Sequence, residues 1–404
     1  MKPAIRLQLS LMMLLQFFIW GSWYVTMGSY LANSLRADGL QIGAAYGMMA
    51  IATIISPFFI GIIADRFFAP KKLLGLLHLA GGVLLLFITK ISDANIFNWI
   101  LLVYALLYAP TLSLSSSIAF DQLQNTNKSF AEIRVFGTIG WIVAGISIDK
   151  IFNLSSTAMG FTFTMAGVAS IALALLSGAL PNTKQKPVTA GISTAAIMGK
   201  EAFGLFRDKS FSIFFIASVL ICIPLSFYYS LANQFLNETG LNNAASKMAY
   251  GQISEAFFIV LIPFFMKRWG IKKMIIVGMI AWIIRFLFFR FGDADGNSWM
   301  LMAGILLHGV CYDFFFVTGQ MYTDSISSES NRNAAQGMIT MATYGLGMWL
   351  GSLISGYVSK QATINAGSHH WETIWLVPAA ISLAVLIFFG LFFKDKRQVQ
   401  FTIN

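Results

Sequence analysis

Five ionisable side chains interrupt long apolar stretches of this chain: Arg134, Glu255, Arg285, His308 and Asp313. A charge at the centre of a membrane span costs on the order of 2.5–3.5 kcal/mol on insertion scales. Residues that persist there need partners, and they mark ligand or proton pathways. Arg134, Thr138 and Trp141 follow one another at i, i+4 and i+7, so a helix presents them on one face. A guanidinium, a hydroxyl and an aromatic plate in a row suit a polar, planar ligand. The alternative for Arg134 is a place at the helix end, with its head snorkelling to the membrane surface. Gln252 and Glu255 are i, i+3 neighbours, setting an amide beside a carboxylate. Glu255 suits proton carriage, and a structural pair with Arg134 or Arg285 is its plainer role. His308 and Tyr312 share a face at i, i+4. Asp313 is turned about 100° from Tyr312. It faces a neighbouring helix, with Arg285 as the nearest expected partner, and suits coupling or gating. Ser226, Tyr229 and Asn233 line a further polar face.

The elements that carry these residues follow from composition. Of 404 residues, 57% are hydrophobic and 11% charged. A soluble domain carries about 25% charged residues, so this chain needs lipid as its second solvent. Twelve stretches are long enough to span: 8–32, 41–64, 73–90, 97–119, 133–152, 157–180, 210–236, 248–266, 273–291, 298–322, 334–358 and 373–393. The fold class is therefore an all-α integral membrane protein of twelve transmembrane helices. The segment 181–209, with Pro181, Pro187 and several Lys and Arg, divides it into six-helix halves at 1–180 and 210–404.

Charge orients the helices. Of the 27 Lys and Arg, 19 fall on the side of the N-terminus and 6 on the other, with Arg134 and Arg285 inside helices. That asymmetry puts both termini in the cytoplasm. The net charge of +10 is then topological, and nucleic acid is not an expected partner. Cys222 and Cys311 lie in apolar runs and read as small core residues. There is no phosphate-binding Walker loop, His-Glu-x-x-His zinc motif or Gly-x-Ser-x-Gly elbow. The four histidines, His78, His308, His369 and His370, form no catalytic set, so neither an enzyme nor a cofactor other than the proton is expected.

A short internal repeat supports the two halves. Pro57-Phe58-Phe59 runs to Arg66 and Lys71-Lys72, and Pro263-Phe264-Phe265 runs to Arg268 and Lys272-Lys273. Gly61, Asp65 and Arg66, before Lys71-Lys72, resemble the gating loop motif of the major facilitator superfamily. The second glycine of that motif is missing; Phe67 to Pro70 stand there. An ordinary basic loop explains the same residues. Gly347 and Gly351 form a small-x-x-x-small pattern suited to helix packing.

Several strings resemble one family. They are Gln16-Phe-Phe-Ile-Trp-Gly-Ser-Trp23, Tyr108-Ala-Pro-Thr111, Ile133-Arg-Val-Phe-Gly-Thr-Ile-Gly140, Gln252-Ile-Ser-Glu255, Ile262-Pro-Phe-Phe265, Ala281-Trp-Ile-Ile-Arg285 and Tyr312-Asp-Phe-Phe315. The chain resembles the nucleoside:proton symporters, bacterial nucleoside permeases of the major facilitator superfamily. The resemblance implies uptake of a nucleoside, purine or pyrimidine, with a proton across the cell inner membrane by alternating access. It implies substrate contacts from Arg134, Thr138, Trp141, Gln252, Glu255, His308 and Tyr312, with proton coupling at Glu255 and Asp313. The family's first aromatic in the tenth helix is His308 here. Its glutamine and asparagine in the seventh fall at Ser226 and Tyr229, which puts selectivity in question. A transporter for a sugar or nucleobase remains the alternative. The protein is expected to work as a lipid-embedded monomer.

Overall fold

The computed structural model describes residues 2–59, 69–122, 126–154, 158–181, 202–328, 331–365 and 368–394. Helices dominate, as lipid requires, because a helix satisfies its backbone groups within one segment. In chain order they are α1 (Pro3–Ser34, with a break at 24–26), α2 (Gly39–Phe59), α3 (Pro70–Ile88), α4 (Ala94–Asp121), α5 (Thr126–Ile146) and α6 (Phe161–Ala179). Then follow α7 (Lys209–Glu238), α8 and α9 within Ala244–Phe291, α10 (Ser298–Ile326), α11 (Ala334–Gln361) and α12 (Trp371–Phe392).

Among the described residues ten helices are long and apolar enough to cross a membrane. One of these, Ala244–Phe291, holds two spans: Gly270 leaves helical geometry at φ 71, a conformation glycine adopts without steric cost. With α5, the described residues hold twelve helices of roughly the length that a span needs, matching the number read from sequence. The boundaries differ in places. α1 starts at Pro3, where proline suits the first helical turn. α5 starts at Thr126, not at 133, and continues through a π turn at Ser147–Ile151. The expected break between 266 and 273 shrinks to Gly270 alone. The motif at Gly61, Asp65 and Arg66, and most of 181–209, lie outside the described residues.

Contacts divide the chain into two compact units. The first holds α1–α6 together with Tyr229–Asn237 and Asn243–Ala249. Within it α1 packs on α5 and α6, α3 on α4 and α6, and α2 on α4. Asp149, after α5, accepts the Ser246 N–H at 2.6 Å, and Ser29 donates to Asn233 Oδ1 at 2.7 Å. The second unit holds most of α7–α12. There Gly347 and Gly351 face α7 so closely that a Cβ on either would fall 2.6 Å from Val219 O or Ser226 Cβ. The small-residue pattern thus serves packing, as its spacing predicts. A two-stranded hairpin, Thr363–Asn365 with Ser368–His369, precedes α12. Glu238, ending α7, accepts the Trp371 indole N–H at 2.8 Å and lies 3.0 Å from His369 Nδ1.

The internal repeat has a structural counterpart. Lys71, at the start of α3, donates to Leu180 O at the end of α6 at 2.9 Å. Lys272, at the start of α9, donates to Gly390 O and Phe393 O at the end of α12 at 3.0 and 2.7 Å. In each unit a lysine of the repeated basic pair caps the last helix, where cations offset the free carbonyls and the helix dipole.

Candidate functional site

The first unit presents one polar cluster. On α5 the half-buried Arg134, Thr138 and Trp141 share a face, while Val135, Ile139 and Val143 on the opposite face are exposed. This polar-in, apolar-out pattern is what a lipid-facing helix requires. Arg134 is not at a helix end, since α5 begins two turns before it. Its guanidinium carbon stacks 4.0 Å from the Phe17 ring centroid on α1, a cation–π contact. Gly137 makes room for that stack: a Cβ there would lie 2.6 Å from Arg134 Nη1 and 2.7 Å from Phe17. One turn on, the Trp141 ring meets Trp20 edge-on at 5.5 Å. Trp20 also meets Tyr24 at 5.5 Å and Tyr108 at 6.0 Å, making an aromatic corner. Tyr229 belongs to this unit and lies 5.4 Å from Tyr24. Phe17 and Trp20 escaped the sequence-based list, because aromatic residues in an apolar helix look like ordinary core.

The second unit presents a charged cluster. Arg285 on α9 is fully buried. Its guanidinium carbon lies 3.6 Å from the Tyr228 ring centroid, 5.3 Å from Trp282 and 5.7 Å from Phe289. Its Nη1 donates to His308 Nδ1 at 3.0 Å. Since Nδ1 accepts, His308 carries its proton on Nε2, which faces Glu255 Oε2 at 3.7 Å. The result is a line of groups running guanidinium, imidazole, carboxylate. Tyr228 stacks on His308 at 5.4 Å, and His308 meets Tyr312 at 5.6 Å. The Tyr312 hydroxyl hydrogen-bonds that of Tyr344 on α11. Arg285 was visible in the sequence as an intramembrane charge. Tyr228 and Tyr344 are aromatic residues in apolar helices, and nothing in the sequence separates them from ordinary core.

Close backbones hold this cluster. Ser254 donates to Leu306 O at 2.6 Å. A Cβ on Gly309 would fall 2.5 Å from Ser254 C and 2.7 Å from Glu255 N. Backbone cannot yield as a side chain can, so Gly309→Ala should push α8 from α10 and separate Glu255 from His308. The expected cost is about 1–3 kcal/mol of stability, read as a lower melting temperature, with weakened coupled uptake by the protein that folds.

The remaining sites divide. Gln252 is buried one turn before Glu255. Ser226 is fully buried in the α7–α11 seam against Gly351. Asp313 departs from expectation: it forms no ion pair with Arg285, whose partner is His308. It is fully buried, and neither carboxylate oxygen has a hydrogen-bond partner among the described residues. It opens a π turn, Asp313–Val317, a feature that recurs at functional positions. Cys222 and Cys311 are buried and free. Among the described residues no group of three His, Cys, Asp or Glu could hold a metal ion.

Comparison with known proteins places these clusters in context. The family model described as nucleoside H+ symporter matches residues 1–398. The chain is 38% identical to YegT of Escherichia coli (strain K12) over 402 residues, 96% of this chain and 94% of that protein. It is 33% identical to the xanthosine permease of the same strain over 415 residues, covering 98% of each. The crystal structure of nucleoside transporter NupG superposes with a TM-score of 0.88 at 32% identity, over 97% of this chain and 100% of that one.

Proposed function

The chain belongs to the nucleoside H+ symporter family, and on that premise we propose that it imports nucleosides with protons across the cell inner membrane. It works by alternating access of its two six-helix halves, 1–180 and 210–404 joined by 181–209, with both termini cytoplasmic. Arg134 and Thr138 bind hydroxyl or base oxygens, and Trp141 stacks on the base. Gln252, Glu255, His308, Tyr312 and Tyr229 supply further contacts, whereas Ser226 packs in the α7–α11 seam. Aromatic faces with a few convergent polar groups are the inventory a nucleoside needs.

The observation that carries the coupling is Asp313. Burying a carboxylate with no donor among the described residues is costly, and taking up a proton removes the charge that makes up most of that cost. Glu255, half-exposed and facing the His308 N–H, is the second proton carrier. The protein is a transporter and not an enzyme; it needs no cofactor beyond the proton and acts as a monomer in lipid.

Uridine and adenosine uptake into proteoliposomes, with and without an imposed pH gradient, tests this. Gradient-driven accumulation of either, competed by nucleosides and not by sugars or free bases, is the expected result. Uptake of sugars or bases in preference would overturn it.

A further inference from the structure

A buried polar network in the first unit takes no part in the binding and proton steps above. His78, on α3, is 1% exposed. Its Nδ1 lies 3.0 Å from Ser170 Oγ on α6, and its Nε2 lies 2.9 Å from Gln16 Oε1 on α1. Gln16 donates through Nε2 to Thr111 Oγ1 on α4 at 2.7 Å. Thr111 donates its own proton to Tyr108 O at 2.6 Å, so its oxygen can only accept from Gln16. That orients the amide: Oε1 faces His78, and His78 carries its proton on Nε2. Ser170 Oγ is also 2.9 Å from His78 O, so its hydroxyl proton serves Nδ1 or that carbonyl. One imidazole thus joins α1, α3, α4 and α6, with Nε2 donating to Gln16 and Nδ1 beside Ser170 Oγ. The buried hydrogen bonds running from Nε2 through Gln16 to Thr111 hold these helices in register, because such bonds are stronger at low local dielectric.

The network ends at the aromatic corner. The Tyr108 hydroxyl donates to Gln16 O at 2.6 Å, one turn before Trp20. The Tyr108 ring meets His78 edge-on at 6.0 Å and Trp20 at 6.0 Å. Trp20 in turn meets Trp141. We propose that His78 is a positioning residue for substrate affinity: through Gln16 and Tyr108 it fixes the Trp20–Trp141 corner on which the nucleobase stacks. The inference rests on Trp141 contacting the base.

The test measures uridine and adenosine KM, maximal rate per folded transporter and pH profile in proteoliposomes, for His78→Leu, His78→Gln, Tyr108→Phe and Trp141→Ala. His78→Leu is expected to raise KM about tenfold with the maximal rate nearly kept, the signature of lost binding. The pH profile keeps its shape, because His78 carries no transported proton. His78→Gln, which can still donate to Gln16, recovers most of the affinity. If His78→Leu does not fold, Tyr108→Phe cuts the same network at its far end and must raise KM. An unchanged KM in the folded variants, alongside a raised KM in Trp141→Ala, overturns the positioning role alone. An unchanged KM in Trp141→Ala overturns both this inference and the base-stacking role. A shifted pH profile in His78→Gln overturns it in favour of a proton-carrying histidine.

Discussion

Replacing Glu255 with glutamine is expected to abolish proton-driven accumulation while nucleoside binding survives in part. The amide keeps the size of the side chain, and its oxygen can still face the His308 Nε2–H that lies 3.7 Å from Glu255 Oε2 in the native protein. What it loses is the capacity to take up and release a proton. An imposed gradient of one pH unit is worth about 1.4 kcal/mol, which supports about tenfold accumulation with one proton per nucleoside. In Glu255→Gln proteoliposomes that ratio should fall to about one, with downhill uptake retained. Undiminished uphill uptake would remove Glu255 from the coupling pathway. Asp313→Asn serves as its companion. A neutral amide at a fully buried position whose side-chain oxygens have no hydrogen-bond partner among the described residues costs less than a charge there, so the variant should fold. Its accumulation ratio tells whether one carboxyl or both must titrate.

Arg134→Ala is expected to lose nucleoside binding by a factor of roughly ten to a hundred, since hydrogen bonds to charged groups contribute about 1.5–3 kcal/mol. Isothermal calorimetry with uridine reads this directly, and unchanged affinity would count decisively against the α5 face as a binding surface. Arg134→Lys should recover little. A lysine keeps the charge but cannot reproduce the flat guanidinium stacked 4.0 Å from the Phe17 centroid, nor its forked donors. Gly137→Ala offers an independent check, because its Cβ would crowd both partners of that stack.

These residues illustrate how much was legible in advance. Each lies in a helix that composition reveals, and the i, i+4, i+7 spacing of Arg134, Thr138 and Trp141 does give one inward face. Depth was not legible. The start of α5 is polar enough that hydropathy places it at 133, whereas the helix begins at Thr126 and carries Arg134 well inside. Pairing was not legible either. Arg285 and Asp313 look complementary as charges, yet Arg285 reaches His308 and is enclosed by aromatic rings, and the Asp313 carboxylate has no hydrogen-bond partner among the described residues. Ser226, on a polar face by periodicity, faces Gly351 in a helix seam.

The sequence by itself determined the membrane architecture, the helical spans and the list of residues too polar to sit in lipid without a task. The physical reason is that lipid acts as a uniform solvent: length, apolar content and loop charge decide insertion without knowledge of neighbours. Tertiary structure alone decided which polar side chains meet. The His78–Gln16–Thr111 network and the Arg285–His308–Glu255 line join helices remote in sequence. They depend on how closely backbones approach at glycines such as Gly309, and that distance is set by packing, not by local pattern.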